Sequence, residues 1–331
     1  MTGSASTLTR TPSPTGRDWV GITRQPFVGP LAALVVAVIA FALLTPTFLT
    51  PYNLSLIGQQ SIVVGILAVA QTIVILTAGI DLSIGAIAVL GTIIMAKTVA
   101  DVGPFGALLL ALVVCVAIGA INGSLVAFVQ LPPFIVTLGT YTAVAAATQL
   151  YAGSATYPVT SKVLTVLGRS FGAGALRTTL GVGVLVVTYL VCLYVLGQTS
   201  GGRHVYAVGG NPTAARYSGI TTNRTLMAVY IMTGVIAAIA AWAALGRIPN
   251  ADPNAFQTAN LDTITAVVIG GTSLFGGRGS VMGTLIGTLI VGVLRNGLTL
   301  VGVDNLYQNI ATGVLVILAV AFDQVARRRL Q

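Results

Sequence analysis

Ten apolar runs follow one another along this chain with only short connections, and nothing between them has room for a soluble domain. They lie at about 28–49, 56–77, 82–97, 105–129, 133–151, 180–198, 225–246, 260–275, 281–302 and 306–323. As a helix, roughly 20 apolar residues cross about 30 Å of hydrocarbon. A 331-residue chain that is 55% hydrophobic, with a mean hydropathy of +0.95, carries more apolar surface than a water-soluble core of that size buries. The sequence therefore predicts an all-α polytopic membrane protein of about ten transmembrane helices. Runs 82–97 and 260–275 are short. Each abuts a break, AGIDLS at 78–83 and LFGGRGS at 274–280, so broken or half-helices are expected at both places.

Charge sets the orientation. Sixteen Lys and Arg face seven acidic residues, all of them Asp, for a net charge of +9. On a soluble domain such a balance would suggest nucleic acid. In a membrane chain basic residues collect in cytoplasmic loops, so the partner is lipid and no nucleic acid is expected. Placing the first residues inside puts Arg10, Arg17, Arg24, Arg203, Arg216, Arg224, Arg278, Arg327, Arg328 and Arg329 in the cytoplasm. The other side receives Lys97, Lys162, Arg169, Arg177 and Arg247. Both termini are then cytoplasmic. Residues 1–26, rich in Thr, Ser, Pro and Gly, read as a disordered cytoplasmic tail. Residues 27–325 read as one transmembrane domain and 326–331 as a basic cytoplasmic end. The first apolar run is too long for a signal-peptide core and is expected to stay as an anchor. Cys115 and Cys192 lie within apolar runs and read as buried free thiols.

Two features break the apolar monotony. TSGGRHVYAVGGNPTAARYSGITTNR, 199–224, is a polar, basic cytoplasmic loop. Within it Asn211 can cap a helix that starts at Pro212 and stops at Gly219, about two turns long. Such a helix is either a connector or a docking surface. Asp81 is the other feature. A carboxylate deep in a membrane helix costs about 2.5–3.5 kcal/mol on insertion scales, so it caps a restarted helix, with Ser83 as the alternative cap, or faces a solute. Gln59, Gln60, Gln71, Asn122, Thr137, Thr140, Gln149, Asn296 and Gln308 punctuate other runs. They suit interhelical hydrogen bonds, or a path for a hydroxyl-rich solute with Phe134 and Tyr141 as aromatic faces. Arg295 is expected to pair with a carboxylate or to snorkel, and His204 to be solvated. No GxxxxGK[ST] or HExxH pattern occurs and no GxSxG triad framework is present, so neither phosphate-loop ATP binding nor an intramembrane hydrolase is indicated.

TAGIDLSIGAIAVLG (77–91), AINGSLVAFVQLPPFIVTLGT (120–140), GRHVYAVGGNPTAARYSGI (202–220) and the run 261–303 together closely resemble the permease subunits of bacterial ribose-type ABC sugar importers, within the branched-chain-amino-acid/ribose permease family. The likeness runs from about 30 to 325. It implies a subunit that imports a monosaccharide, a pentose or hexose, by alternating access. The sugar would arrive from an extracytoplasmic binding protein. The permease would pair with a second copy or a paralogue, and a separate ATPase subunit would hold ATP and Mg. No cofactor is then expected on this chain, which would be a transport subunit and not an enzyme. The resemblance makes 199–224 the coupling loop, with Arg203, Gly209, Gly210, Asn211, Pro212, Ala214, Ala215, Arg216 and Gly219 docking the ATPase. Asp81, Ser83, Asn122, Phe134 and Thr137 would lie on or beside the sugar path. Many relatives carry Arg-Gly where this chain has Ala145 and Ala146, and Glu where it has Asn260. The competing reading is an ion-coupled secondary sugar transporter, which needs membrane carboxylates; Asp81 and Asp262 are the candidates.

Overall fold

The computed structural model describes residues 28–172 and 177–328; the expected tail at 1–26 and residues 329–331 of the basic end lie outside the described residues. Eleven helices make up the described fold: α1 (Val28–Leu44), α2 (Pro51–Leu76), α3 (Ile84–Ala127), α4 (Pro133–Ala152), α5 (Leu180–Gln198), α6 (Ser200–Gly210), α7 (Pro212–Tyr217), α8 (Thr222–Arg247), α9 (Ala259–Ile269), α10 (Val281–Leu300) and α11 (Asn305–Arg328). Five of them, α2, α3, α5, α8 and α10, are long and apolar enough to cross a membrane. Two two-residue ribbons tie the loops at one end: β1 (Tyr157–Pro158) pairs antiparallel with β4 (Asn250–Ala251), and β2 (Ser170–Phe171) with β3 (Thr178–Thr179).

Most boundaries follow from local chemistry. Thr50 accepts the amide of Asn53 at 3.4 Å to cap α2, with Pro51 first in the helix. Ser280 accepts the amide of Met282 at 3.2 Å to cap α10. Helix α4 stops where Gly153 turns left-handed at φ 59°. Helix α3 is two helices, 84–102 and 104–127, joined at Gly103 (φ 72°, ψ 171°) before Pro104. The first is longer than the 82–97 expected. It passes Lys97 because that ammonium donates to the carbonyl of Tyr151 at 2.6 Å and lies 4.3 Å from the centre of its ring. The second short run is shorter still. Helix α9 has 11 residues, about 16 Å at 1.5 Å per residue, and the break begins at Gly270, not 274.

Helix α2 is the central post, buried almost without interruption from Ser61 to Leu76. Around it helices pack through small residues. Gly119 and Gly234 bring α3 and α8 so close that a Cβ at either would run into backbone of the other helix, at Tyr230 and at Cys115. Gly270, Gly283 and Gly287 do the same between α9 and α10. With no hydrophobic drive between helices in lipid, such approach supplies the packing. Phe41 and Phe48 seat α1 against Val293 of α10. Cys115 and Cys192 are buried and free.

The bundle has two distinct ends. One gathers α6, α7, the break after α2 and the break before α10, and carries Arg203, Arg216, Arg224 and Arg278. The other holds both ribbons together with Lys97, Lys162, Arg169, Arg177 and Arg247.

Glycine packing has a direct consequence. Gly234→Val should destabilise the protein by about 1–3 kcal/mol, the usual range for overpacking. Gly139→Ala, where nothing lies within 4 Å of the added carbon, should leave stability unchanged or raise it by up to about 1 kcal/mol. Thermal unfolding of both variants in mild detergent checks this. Equal midpoints would show that the α3–α8 contact is slack.

Candidate functional site

The break after α2 closes itself. Ala78 turns left-handed at φ 62°. The amides of Thr77 and Gly79 return to the carbonyl of Val74, at 2.9 and 3.1 Å, and that of Ala78 to Ile75 at 2.9 Å. The last carbonyls of α2 are thereby satisfied at membrane depth, as a helix end in hydrocarbon requires. Helix α3 then restarts under Asp81. Its buried Oδ1 accepts the Ser83 amide at 2.7 Å and the Ser83 hydroxyl at 2.6 Å. Ser83, the expected alternative cap, occupies the cap position but its side chain makes no capping bond.

From Ser83 the network continues into two helices. Asn122 of α3 donates Nδ2 to Ser83 Oγ at 3.0 Å, and Thr140 of α4 donates Oγ1 to Asn122 Oδ1 at 2.6 Å. Thr137 donates to the Ile80 carbonyl at 3.0 Å. Four of the five expected path residues, Asp81, Ser83, Asn122 and Thr137, are therefore brought together in one buried cluster. Phe134 is not among them: half its surface is exposed on α4. Asp81 Oδ2 and the Tyr230 hydroxyl are buried without a hydrogen-bond partner.

Asn260, in the first turn of α9, clamps the restart from the other side. It donates Nδ2 to the Leu82 carbonyl at 2.6 Å and accepts the Gly85 amide at 3.0 Å. A cavity of about 520 Å³ opens against this clamp, lined by Tyr141, Gln149, Asn254, Gln257 and Asn260 among others. Gln149 donates to Asn254 at 2.7 Å across it. Ala145 and Ala146 also line this space. Across the loop 256–258 lies a second cavity of about 360 Å³, with Gln60, Arg247, Asp262, Arg295 and Gln308 in its wall. There Arg295 pairs with the buried Asp262 at 2.7 Å, and its Nη2 also donates to Thr258 at 3.2 Å. Of the two fates expected for Arg295, the structure has the carboxylate pair.

At the other end, 199–224 is more ordered than its sequence suggested. Thr199 accepts the Gly202 amide at 3.2 Å and starts α6, a helix the sequence reading did not anticipate. The expected short helix follows as α7: Asn211 accepts the Ala214 amide at 3.0 Å, Pro212 is first, and Gly219 turns left-handed at φ 83°. Ala215 is buried; Arg203, Gly210, Asn211, Pro212, Ala214, Arg216 and Gly219 are exposed. Gly209 is buried, and the reason is contact with both breaks. A Cβ there would strike the Leu76 carbonyl and the Gly277 amide. Gly277 itself donates to Leu76 at 2.9 Å, and Tyr206 of α6 donates its hydroxyl to the Gly279 carbonyl at 3.1 Å. Burial pushes the Tyr206 phenol above its ordinary pKa. His204 is partly buried instead of solvated. Tyr206, Tyr230 and the clamping role of Asn260 were missed from sequence. None carries a local motif; Tyr206 and Asn260 acquire their partners from segments tens of residues away, and Tyr230 is buried with its hydroxyl unpaired.

Comparison with known proteins follows the same lines. Residues 53–320 match the family described as branched-chain amino acid transport system / permease component. The fructose import permease protein FrcC of Rhizobium meliloti is 47% identical over 314 residues, 92% of this chain and 87% of that protein. The ribose import permease protein RbsC is 40% identical in Escherichia coli strain K12, over 88% of this chain and 92% of that protein. In Bacillus subtilis strain 168 it is 38% identical, over 90% and 92%. No solved structure matches the chain. A helical membrane bundle whose two broken segments meet one capped polar loop, matched along most of its length, belongs to the branched-chain amino acid transport system / permease component family.

Proposed function

We propose that this chain is the inner-membrane permease subunit of an ATP-driven ABC importer for a monosaccharide, a ribose-like pentose or a hexose. Relatives named for fructose and ribose import support the sugar class. The observation that carries the reading is the amide-rich 520 Å³ cavity that opens against the Asn260 clamp, within the size range of small-ligand sites. Amides and hydroxyls on rigid helix segments suit a polyol. An extracytoplasmic sugar-binding protein delivers substrate at the ribbon end. Both termini and the 199–224 loop face the cytoplasm, in accord with the basic residues gathered there. Asp81, Ser83, Asn122 and Thr137 support the path from beneath. Phe134, exposed on α4, faces a second permease, identical or paralogous.

ATP and Mg belong to a partner ATPase, and this chain binds no cofactor and is not an enzyme. Arg203, Gly210, Asn211, Pro212, Ala214, Arg216 and Gly219 form the docking face for that partner, with Gly209 and Ala215 holding it against the bundle. Motion of this face reaches both breaks through Gly209, because the chain at Leu76 and at Gly277 lies directly against it. The ion-coupled alternative is disfavoured by its own candidates. Asp262 is already neutralised by Arg295, and Asp81 lines neither cavity.

Purification of the chain from native membranes in mild detergent should co-elute an ATPase, and Gly219→Asp should reduce that co-elution at least several-fold. A folded chain that elutes alone, with sugar uptake abolished by a protonophore at constant ATP, would overturn the reading. Gly209→Val is expected to retain the ATPase yet lose sugar-stimulated hydrolysis, since the obstruction lies against the breaks and not on the docking face. Asn260→Leu removes both clamp bonds, worth about 0.5–1.5 kcal/mol each. It should lower uptake by about tenfold or more while assembly persists, measured as radiolabelled sugar accumulation in reconstituted vesicles.

A further inference from the structure

A third cavity, of about 300 Å³, is unlike the other two. It lies where α5, α6 and α8 meet, and Ile73, Leu196, Val205, Val229 and Met232 make its wall apolar. Arg224 and His204 are the cationic or titratable residues that line it, and no carboxylate does. The one ion pair among the described residues is Arg295–Asp262, so the exposed Arg224 guanidinium has no acidic partner. The cavity also has a direction. Arg224 lies in the first turn of α8, and Met232, 42% exposed, is eight residues further along the same helix. At 1.5 Å per residue that is about 12 Å deeper into the bilayer. A cation at the membrane surface above an apolar slot running inward has the polarity of a phospholipid, with room for phosphate at one end and part of one acyl chain at the other.

We propose that this cavity is a binding site for an anionic phospholipid of the adjoining leaflet, its phosphate on Arg224 and one acyl chain along Val229 and Met232. Charge complementarity selects the anionic class, since a juxtamembrane basic residue gains about 1 kcal/mol near an anionic surface, roughly a fivefold preference. The site sits at the root of α6. An acyl chain there packs between Val205 of α6 and Val229 of α8 and fills the gap beneath the helix that touches both breaks. Binding itself stands on the cavity alone. An effect on transport rests additionally on the proposed coupling role of α6.

Phosphatidylglycerol and phosphatidylcholine are titrated separately onto the intact, delipidated permease in mild detergent, and retained lipid is counted by native mass spectrometry. One tightly retained phosphatidylglycerol is expected, favoured about fivefold over phosphatidylcholine. Arg224→Gln should abolish that preference, Arg224→Lys should keep most of it, and Ala228→Trp, which fills the slot, should remove the bound lipid altogether. Arg169→Gln, at the opposite end, controls for net charge and should change nothing. Displacement by glycerol phosphate would show that the site reads a headgroup alone and overturn the acyl-chain part. Equal retention of both lipids, or an Arg224→Gln variant indistinguishable from the parent, would overturn the anionic one. Because this readout needs no ATPase and no sugar, its failure is separable from failure of the transporter reading.

Discussion

A backbone that stops being helical inside a bilayer must find partners for every amide and carbonyl it frees, because lipid offers none. The rest of this molecule is arranged around two such places, the break at 77–83 and the break at 270–280. The first is closed by returns to Val74 and Ile75 on one side and by the Asp81 carboxylate on the other. Asp81 is thus not an isolated charge tolerated in an apolar chain. Its Oδ1 supplies the acceptor that the restarted helix needs, and the favourable field at a helix start offsets part of its burial cost.

Once that carboxylate is fixed, the neighbouring polar residues have defined tasks. Ser83 hands the network to Asn122, which hands it to Thr140, so that α3 and α4 are held in register around the break. Asn260 joins the same break to the start of α9. At the opposite end of these segments, Gly277 donates to Leu76 and Gly209 is wedged against both. The first discontinuity is therefore held at both of its ends, at one by a side-chain amide from the start of α9 and at the other by glycine backbone of the second discontinuity and of α6. An element joined in this way moves as a unit, which is what a bistable transport core requires.

The sequence made the bundle legible because hydropathy and segment length are local quantities. All ten runs have helical counterparts close to where composition put them, and α7 with its Asn211 cap and Gly219 stop was readable from nine residues. Length misled at 82–97, where the run was ended at Lys97. Nothing in the sequence says that a lysine will find the Tyr151 carbonyl and ring and let the helix continue. Helix α6 was missed for the opposite reason. Four glycines make SGGRHVYAVGG a poor helix by propensity, and what holds it is the Thr199 cap and packing of Val205 and Val208 into the core. Clustering of Asp81 with Ser83 was visible as adjacency. The approach of Asn122, Thr140 and Asn260 was not, since it depends on how α3, α4 and α9 cross.

The distribution of charge bears on where the driving force can enter. Asp262 lies in the first turn of α9, is buried, and pairs with a partly exposed Arg295. A coupling cation at Asp262 would have to displace that guanidinium without leaving it unpaired beside Arg247, so the site is poorly disposed to cycle. Asp81, committed to Ser83, is better described as a fixed joint than as a proton carrier. The α6–α7 end, where we propose that a partner docks, is instead an exposed, capped, basic surface that stands directly on the glycine contacts that hold both breaks together. On that proposal, a push delivered there passes to both breaks by backbone contact at Gly209, with no change of charge required.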